Sequence, residues 1–363
     1  MSKKIALDAL MLSNRRAGIG NYQYNLINAL KGFPYEFDVY TSESGIIKSS
    51  ENINVITVPG IKTAKKRLLF QLFGFADALN RGKYDIVHFL DYMTPLKKIN
   101  SKSLVTVHDV GFCTGRNYFT KQATFFKKHQ MPRVIKNADG IITVSDFTKS
   151  EIIKYFPKAD ESKITTVHLG VDIANTEATK LPEGIKKPFV LFVSTVEPRK
   201  NIISLIKSME ILWDKGEEAQ LVIAGKFGWL YDETVSYAKC SRHAEKIKFT
   251  GFITDGELEA LYNLAEVFVF PSDYEGFGLP PLEAMRRGVA TISSKNASMP
   301  EILGNGAYFA NGAADTSKKI KALLGSSDEK DELIKRGIMR SKSFTWQKTA
   351  EQTAKIYENL LSE

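Results

Sequence analysis

The 363 residues exceed what one hydrophobic core ordinarily holds, and roughly 100–200 residues per domain predicts two domains. With 43% hydrophobic and 25% charged residues, the chain is neither disordered, collagen-like nor a coiled coil. Of the net charge of +9, residues 1–180 carry 26 Lys+Arg against 16 Asp+Glu, a balance of +10, while the rest holds 24 against 25, a balance of −1. The surplus in the first half predicts either an anionic partner there or a surface made soluble by lysine. Nucleic acid is disfavoured, because no recognition motif accompanies the charge.

Two cysteines, Cys113 and Cys240, cannot build a disulfide framework. Met1–Leu10 has no apolar signal stretch, and no window reaches about 18 apolar residues. The expectation is a protein of the reducing cytoplasm without a membrane-spanning helix.

Taken in chain order, β-branched runs alternate with amphipathic segments, as in βα units on parallel sheets. The first half predicts strands near Lys4–Leu10, Phe37–Thr41, Asn54–Val58, Asp85–Leu90, Ser103–Val107, Gly140–Val144 and Thr165–His168. The second predicts Phe189–Ser194, Leu221–Ala224, Lys248–Thr250, Val267–Phe270 and Ala290–Ser293. Two doubly wound sheets follow. Asn175–Pro188, with two prolines and a glycine but no apolar period, reads as the connection. The domains are thus 1–185 and 186–343, followed by a helical segment 344–363.

Near the start, Gly18-Ile-Gly20 follows the first strand and opens a helix near Asn21–Leu30, but Gln23 stands where a dinucleotide fingerprint needs its third glycine. Close approach of this backbone to a sugar or phosphate stays open. Lys62–Phe75 joins a basic start to an apolar continuation, which suits an anionic membrane surface or a helix whose apolar side is core. His108-Asp109 ends the fifth strand, where an imidazole can donate a hydrogen bond to substrate or move a proton. No Asp-x-Asp occurs, and the histidines lack ligand spacing. No protein-built metal site is expected.

In the second half, Arg199 and Lys200 follow a strand, where they can neutralise a diphosphate leaving group. Strand Val267–Phe270 runs into Glu275-Gly-Phe-Gly278 and then Pro280-Pro281, the latter placed to open a helix. A helix N-terminus at a sheet's carboxyl edge is an anion cradle. Glu275 precedes it and Glu283 lies one turn inside, on either side of a bound phosphate and within reach of hydroxyl groups.

On these residues the chain resembles the retaining glycosyltransferases of the GT-B fold, group 1, also called family 4. The resemblance runs over nearly the whole length and rests on Glu275-x7-Glu283, Glu197-Pro-Arg-Lys-Asn201, Thr106-Val-His-Asp109, Val144-Ser-Asp-Phe-Thr148 and Gly18-Ile-Gly-Asn-Tyr22. It implies two Rossmann-like domains facing across a cleft, with the final helix crossing back onto the first. It implies that Arg199 and Lys200 bind the donor diphosphate and that Glu283 binds the ribose hydroxyls. Glu275 and the backbone of Gly276, Phe277 and Gly278 would contact the transferred sugar, with Leu279 N–H near the phosphates. His108 would face that sugar, and Gly18 and Gly20 the phosphates or acceptor. Ser194 stands where some relatives carry an arginine, so the diphosphate would lean on Arg199, and Asn21 stands where many carry a basic residue, which leaves the acceptor-side charge open.

The Glu-Pro-Arg-Lys-Asn variant looks most like mannosyltransferases that use GDP-mannose for bacterial surface polysaccharides, often on polyprenyl-diphosphate acceptors. The implied enzyme is a metal-independent hexosyltransferase without a cofactor, the nucleotide sugar being substrate. It would be cytoplasmic or peripheral at the inner membrane face, with an anionic lipid surface as a further partner. Competing readings are a UDP-sugar-dependent transferase, an epimerase or hydrolase of the same fold, a non-catalytic sugar-nucleotide-binding subunit and a nicotinamide dehydrogenase.

Overall fold

The computed structural model describes residues 2–14, 18–171, 177–325 and 327–362. Asn175 and Thr176 of the expected connection lie outside them. The chain forms two compact units: Met1–Cys113, Gln122–Gly170 and Thr345–Glu363 make the first, Thr114–Lys121 and Val171–Phe344 the second. The change of unit at Gly170/Val171 falls earlier than the expected boundary near Lys186.

The first unit is a seven-stranded parallel sheet of β1 (Lys3–Ala9), β2 (Tyr35–Thr41), β3 (Ile53–Thr57), β4 (Ile86–Phe89), β5 (Lys102–Val107), β6 (Gly140–Thr143) and β7 (Ile164–Thr166). The spatial order is β3-β2-β1-β4-β5-β6-β7. Its helices are α1 (Gly18–Ala29), α2 (Ala64–Leu69), α3 (Phe75–Gly82), α4 (Lys121–Asn137) and α5 (Asp146–Tyr155). β1 and β4 read as runs of apolar residues because both faces of the sheet are covered, and Ile5, Leu7, Ile86 and Val87 have no exposed area.

Lys62–Phe75 is in part the core helix of one of its two readings. After α2, capped by Thr63, a π-helical turn Phe70–Gly74 rotates the chain so that Gln71, Leu72 and Phe75 are buried, while Leu69 and Phe73 stay 48% and 61% exposed.

The second unit is a six-stranded parallel sheet of β8 (Phe189–Val193), β9 (Gln220–Ala224), β10 (Ile247–Gly251), β11 (Val267–Phe270), β12 (Thr291–Ser294) and β13 (Tyr308–Ala310), in the order β10-β9-β8-β11-β12-β13. Its helices are α6 (Ile202–Trp213), α7 (Asp232–Cys240), α8 (Asp255–Leu264), α9 (Leu279–Arg286), α10 (Met299–Leu303), α11 (Gly312–Leu323) and α12 (Asp328–Ser341). α8 begins with a reciprocal capping box between Thr254 and Glu257. β13 is an addition to the twelve expected strands. Its three residues are too few to show a period, and pairing to β12 specifies them.

The last helix, α13 (Trp346–Ser362), groups with the first unit. Tyr357, without exposed area, reaches His88 Nδ1 at 2.7 Å, and His88 Nε2 meets Thr106 Oγ1 at 2.8 Å. Burial lowers the pKa of His88 to about 3, so this histidine is a neutral core residue. Gly170 admits the returning chain: a Cβ there would stand 2.1 Å from the backbone N of Trp346.

Candidate functional site

In each sheet the strand order reverses beside its first strand, between β1 and β4 and between β8 and β11. The carboxyl ends of such neighbours open the crevice where ligands bind in α/β sheets. In the second unit the turn after β8 carries Arg199 and Lys200, and the loop after β11 carries Glu275. Topology therefore brings together residues that the sequence separates by about seventy-five positions.

Arg199 and Lys200 do not point into bulk solvent. Lys200 Nζ donates to Glu275 Oε1 at 2.5 Å, and Arg199 Nη1 donates to Glu275 Oε2 at 3.3 Å. The Nε of Arg199 pairs with Glu197, and its Nη1 also reaches the Tyr274 carbonyl at 3.2 Å. Lys200 is 5% and Glu275 7% exposed. The two expected diphosphate ligands are thus already balanced by two buried carboxylates, forming a neutral tetrad. Burial pushes against the Glu275 anion, but Lys200 and Arg199 overcome it and hold its pKa below the usual value. Burial and the like charge of Arg199 lower the Lys200 pKa against the pull of Glu275.

The loop is pinned by side chains that sequence reasoning did not single out. Ser272 Oγ donates to Glu275 Oε1 at 2.6 Å, and Ser298 Oγ reaches the carbonyls of Glu275 and Phe277 at 3.0 and 3.1 Å. Asn201, itself left-handed at φ 53°, donates to Asp273 at 3.0 Å. Only Ser272 left a local trace, a hydroxyl three residues before an acid. Ser298 arrives from beyond β12.

Gly278 caps α9 at φ 97° and packs on Met299, so a side chain there meets backbone strain and a near neighbour together. Pro280 and Pro281 occupy the first turn as expected, with a consequence for the cradle: neither carries an N–H, and the amide of Leu279 is what the first turn presents. Phe277 is buried, edge-on to Phe344 at 5.8 Å.

Glu283 stands apart from Glu275 in kind. Its Oε2 accepts from Tyr262 OH at 2.9 Å. Arg287 lies 4.9 Å over the Tyr262 ring and pairs with Glu259 at 2.7 Å. Burial raises the Glu283 pKa, opposed by Arg287 and the tyrosine hydroxyl. Its Oε1 has no protein donor among the described residues and can accept from a ligand hydroxyl.

In the first unit, His108 follows β5 and its Nε2 lies 3.0 Å from the Leu90 carbonyl. A carbonyl only accepts, so Nε2 carries the proton, and the neutral ring offers Nδ1 as an acceptor. The expected donation to substrate thus needs a protonated ring. Tyr22 packs edge-on against His108 at 4.8 Å. Gly18 and Gly20 sit in the first turn of α1, which begins three residues earlier than expected. Asp8, unremarked in the sequence, ends up buried near the end of β1. It accepts from Leu10 N at 3.1 Å and Gln71 Nε2 at 3.2 Å, and burial raises its pKa to about 7.

No helix among the described residues is long and apolar enough to cross a membrane.

Residues 175–340 match the pattern of glycosyl transferases group 1, and residues 16–175 that of glycosyltransferase family 4. The chain is 32% identical over 269 residues to the O-antigen chain mannosyltransferase B of Escherichia coli, covering 71% of each chain. Among solved structures it is similar to a sucrose-phosphate synthase from Thermosynechococcus elongatus, with TM-score 0.82, 22% identity and 99% of each chain covered. It is also similar to Anabaena HepE in complex with UDP-glucose, with TM-score 0.72, 15% identity, and 99% and 100% covered. With its two parallel-sheet units of the GT-B fold, the chain belongs to the group 1, family 4 glycosyltransferases.

Proposed function

We propose that the chain transfers a mannosyl residue from GDP-mannose to a glycan or polyprenyl-diphosphate-linked acceptor in the synthesis of a cell-surface polysaccharide, with retention at the anomeric carbon and without a bound metal. The observation that carries this reading is the convergence of Arg199 and Lys200 on Glu275 at the β8–β11 switch point. The mannosyl and polysaccharide parts rest on likeness to the E. coli O-antigen mannosyltransferase.

Departure of a nucleoside diphosphate develops negative charge on the leaving oxygen. A guanidinium, an ammonium and the Leu279 amide at the opening of α9 stabilise that charge more than they stabilise the intact donor, which lowers the barrier. Arg199 and Lys200, although each is paired with a carboxylate, are charged donors beside the leaving oxygen, which supports metal independence. Glu275, fixed by Ser272 and both cations, orients the sugar. Glu283 offers Oε1 to the ribose hydroxyls. The family resemblance supports a front-face reaction: the anomeric C–O bond to phosphate breaks, the acceptor oxygen bonds on the same face, and its proton passes to the departing phosphate oxygen.

Exposed Lys62, Lys65 and Lys66 beside Leu69 and Phe73 support docking of the first unit at an anionic lipid surface.

The test is a nucleotide-sugar panel scored for nucleoside diphosphate release, each assay run with and without a chelator. GDP-mannose is expected to be turned over fastest, at a rate the chelator leaves unchanged. Turnover of UDP-sugars alone would move the donor to the UDP class. Loss in chelator restored by Mg²⁺ or Mn²⁺ would overturn metal independence.

A further inference from the structure

The tetrad sits on two loops, and a third segment touches one of them directly and reaches the other through the loop after β9. Thr114–Lys121 groups with the second unit, although the chain up to Cys113 and from Gln122 groups with the first. Within that unit it meets the loop after β9. Val196 N donates to the Lys226 carbonyl at 2.9 Å and Gly228 N to the Val196 carbonyl at 3.0 Å. The loop bearing Trp229 is therefore bonded to the residue that leads directly into Glu197, Arg199 and Lys200.

Trp229 Nε1 donates to the Tyr118 carbonyl at 2.5 Å, and its ring stacks on Phe119 at 5.5 Å and 22°. On its other side, Tyr118 places its ring 6.1 Å from that of Tyr274. Tyr274 immediately precedes Glu275, and its carbonyl accepts from Arg199. Tyr118 is 5% exposed, and Arg116 Nη1 donates to its hydroxyl at 2.8 Å. One buried residue thus connects the loop supporting the cations to the loop bearing the carboxylate they clasp.

We propose that Tyr118 is a positioning residue for the donor site: it sets the separation of the Arg199–Lys200 turn and the Glu275 loop, so that nucleoside diphosphate affinity and release depend on it. The inference rests on the donor reading above. Its physical basis is that a misplacement of about 1 Å at a preorganised site costs about a hundredfold in rate. The ring carries most of the effect, because contact with Tyr274 is through the ring, whereas the hydroxyl faces exposed Arg116.

The experiment measures GDP and UDP affinity by calorimetry, and acceptor-independent nucleoside diphosphate release, in the wild type, Lys200→Ala, Tyr118→Ala, Tyr118→Phe and Trp229→Phe, with the thermal midpoint of each. Tyr118→Ala is expected to weaken nucleotide binding and slow release about tenfold or more, and Tyr118→Phe to restore most of both. Trp229→Phe, which keeps an aromatic against Phe119 but loses the N–H donor, shows a smaller loss of the same sign and serves if Tyr118→Ala does not fold. A folded Tyr118→Ala or Trp229→Phe with wild-type affinity and release overturns the proposal alone, as does equal damage from alanine and phenylalanine. A wild type that binds neither nucleotide, or a Lys200→Ala that binds and releases normally, overturns the donor reading and this inference with it.

Discussion

The carboxyl edges of the two sheets share a topology and differ in how they hold charge. At the β8–β11 edge, Arg199, Lys200, Glu197 and Glu275 pair with one another, the lysine and both glutamates being buried. At the β1–β4 edge, Asp8 is buried and Asp91 half-buried, desolvation raises the pKa of both, and no ion pair reaches either among the described residues. His108, one strand further, spends its N–H on a backbone carbonyl. Fixed, mutually compensated charges keep their geometry when an anion arrives or departs. Desolvated carboxyls with raised pKa values can instead take up a proton and meet uncharged hydroxyl groups through hydrogen bonds. The same switch-point scaffold thus carries a paired, charged cluster in one unit and desolvated carboxyls with raised pKa values in the other.

Removing one member of the tetrad is the strongest way to break this contrast. Lys200→Ala leaves the Glu275 carboxylate buried against Arg199 alone. Breaking a buried pair costs about 3–5 kcal/mol of stability. Losing a preorganised donor at a developing negative charge costs about 10²–10³ in turnover. Thermal unfolding and steady-state kinetics at saturating donor read the two effects separately. Unchanged turnover with a raised Michaelis constant would show that Lys200 serves binding only.

What the sequence shows of these edges follows from the range of each signal. Twelve strands were legible because apolar runs bounded by turn residues are local. The Glu275–Glu283 spacing was legible because one loop and one helix contain it. The convergence of Arg199 with Glu275 could be placed at one sheet edge, but its consequence, cations balanced by Glu197 and Glu275, depends on strand order. Ser298, Tyr262 and Tyr118 reach their partners from other elements and left no local pattern. Asp8 is one polar residue in an apolar strand, and nothing local marks it. Only the π turn that buries Gln71 against it shows its environment.

Asp8 gives the next test, at the other edge. Its pKa rises on folding from 3.8 to about 7, chiefly through burial. Between those values the folded state keeps a proton that the unfolded state has lost. The stability this contributes is fully present below pH 4 and is lost as pH rises through 7. The rise corresponds to about 4 kcal/mol. Asp8→Asn abolishes the titration, with the Gln71 amide turning over to meet the new NH₂, at a cost of about 1 kcal/mol for an altered hydrogen bond. The variant is therefore expected to be more stable than wild type at pH 8, by about 3 kcal/mol, with the gain shrinking towards pH 5. Urea unfolding at both pH values checks the sign. A variant less stable at pH 8 would mean that Asp8 is ionised and compensated like Glu275, and the contrast between the edges would disappear.

The smallest effect is expected at Glu283, which lies with the charged tetrad in the second unit but resembles Asp8 in its raised pKa. Tyr262→Phe removes the hydroxyl 2.9 Å from Oε2, a hydrogen bond that favours the ionised carboxyl. The pKa of Glu283 then climbs further. A carboxylate with a raised pKa loses its charge as pH falls through that value, so the variant surrenders hydroxyl-accepting capacity at a higher pH than the wild type does. Donor KM should rise about fivefold, near 1 kcal/mol, and the acid limb of its pH dependence should move to higher pH. Turnover should hold, because the tetrad is untouched. If the acid limb and donor KM both stay where they were, Glu283 does not bind the donor. If turnover falls instead, Glu283 acts with the tetrad, and the two acids of the Glu-x7-Glu spacing share one task.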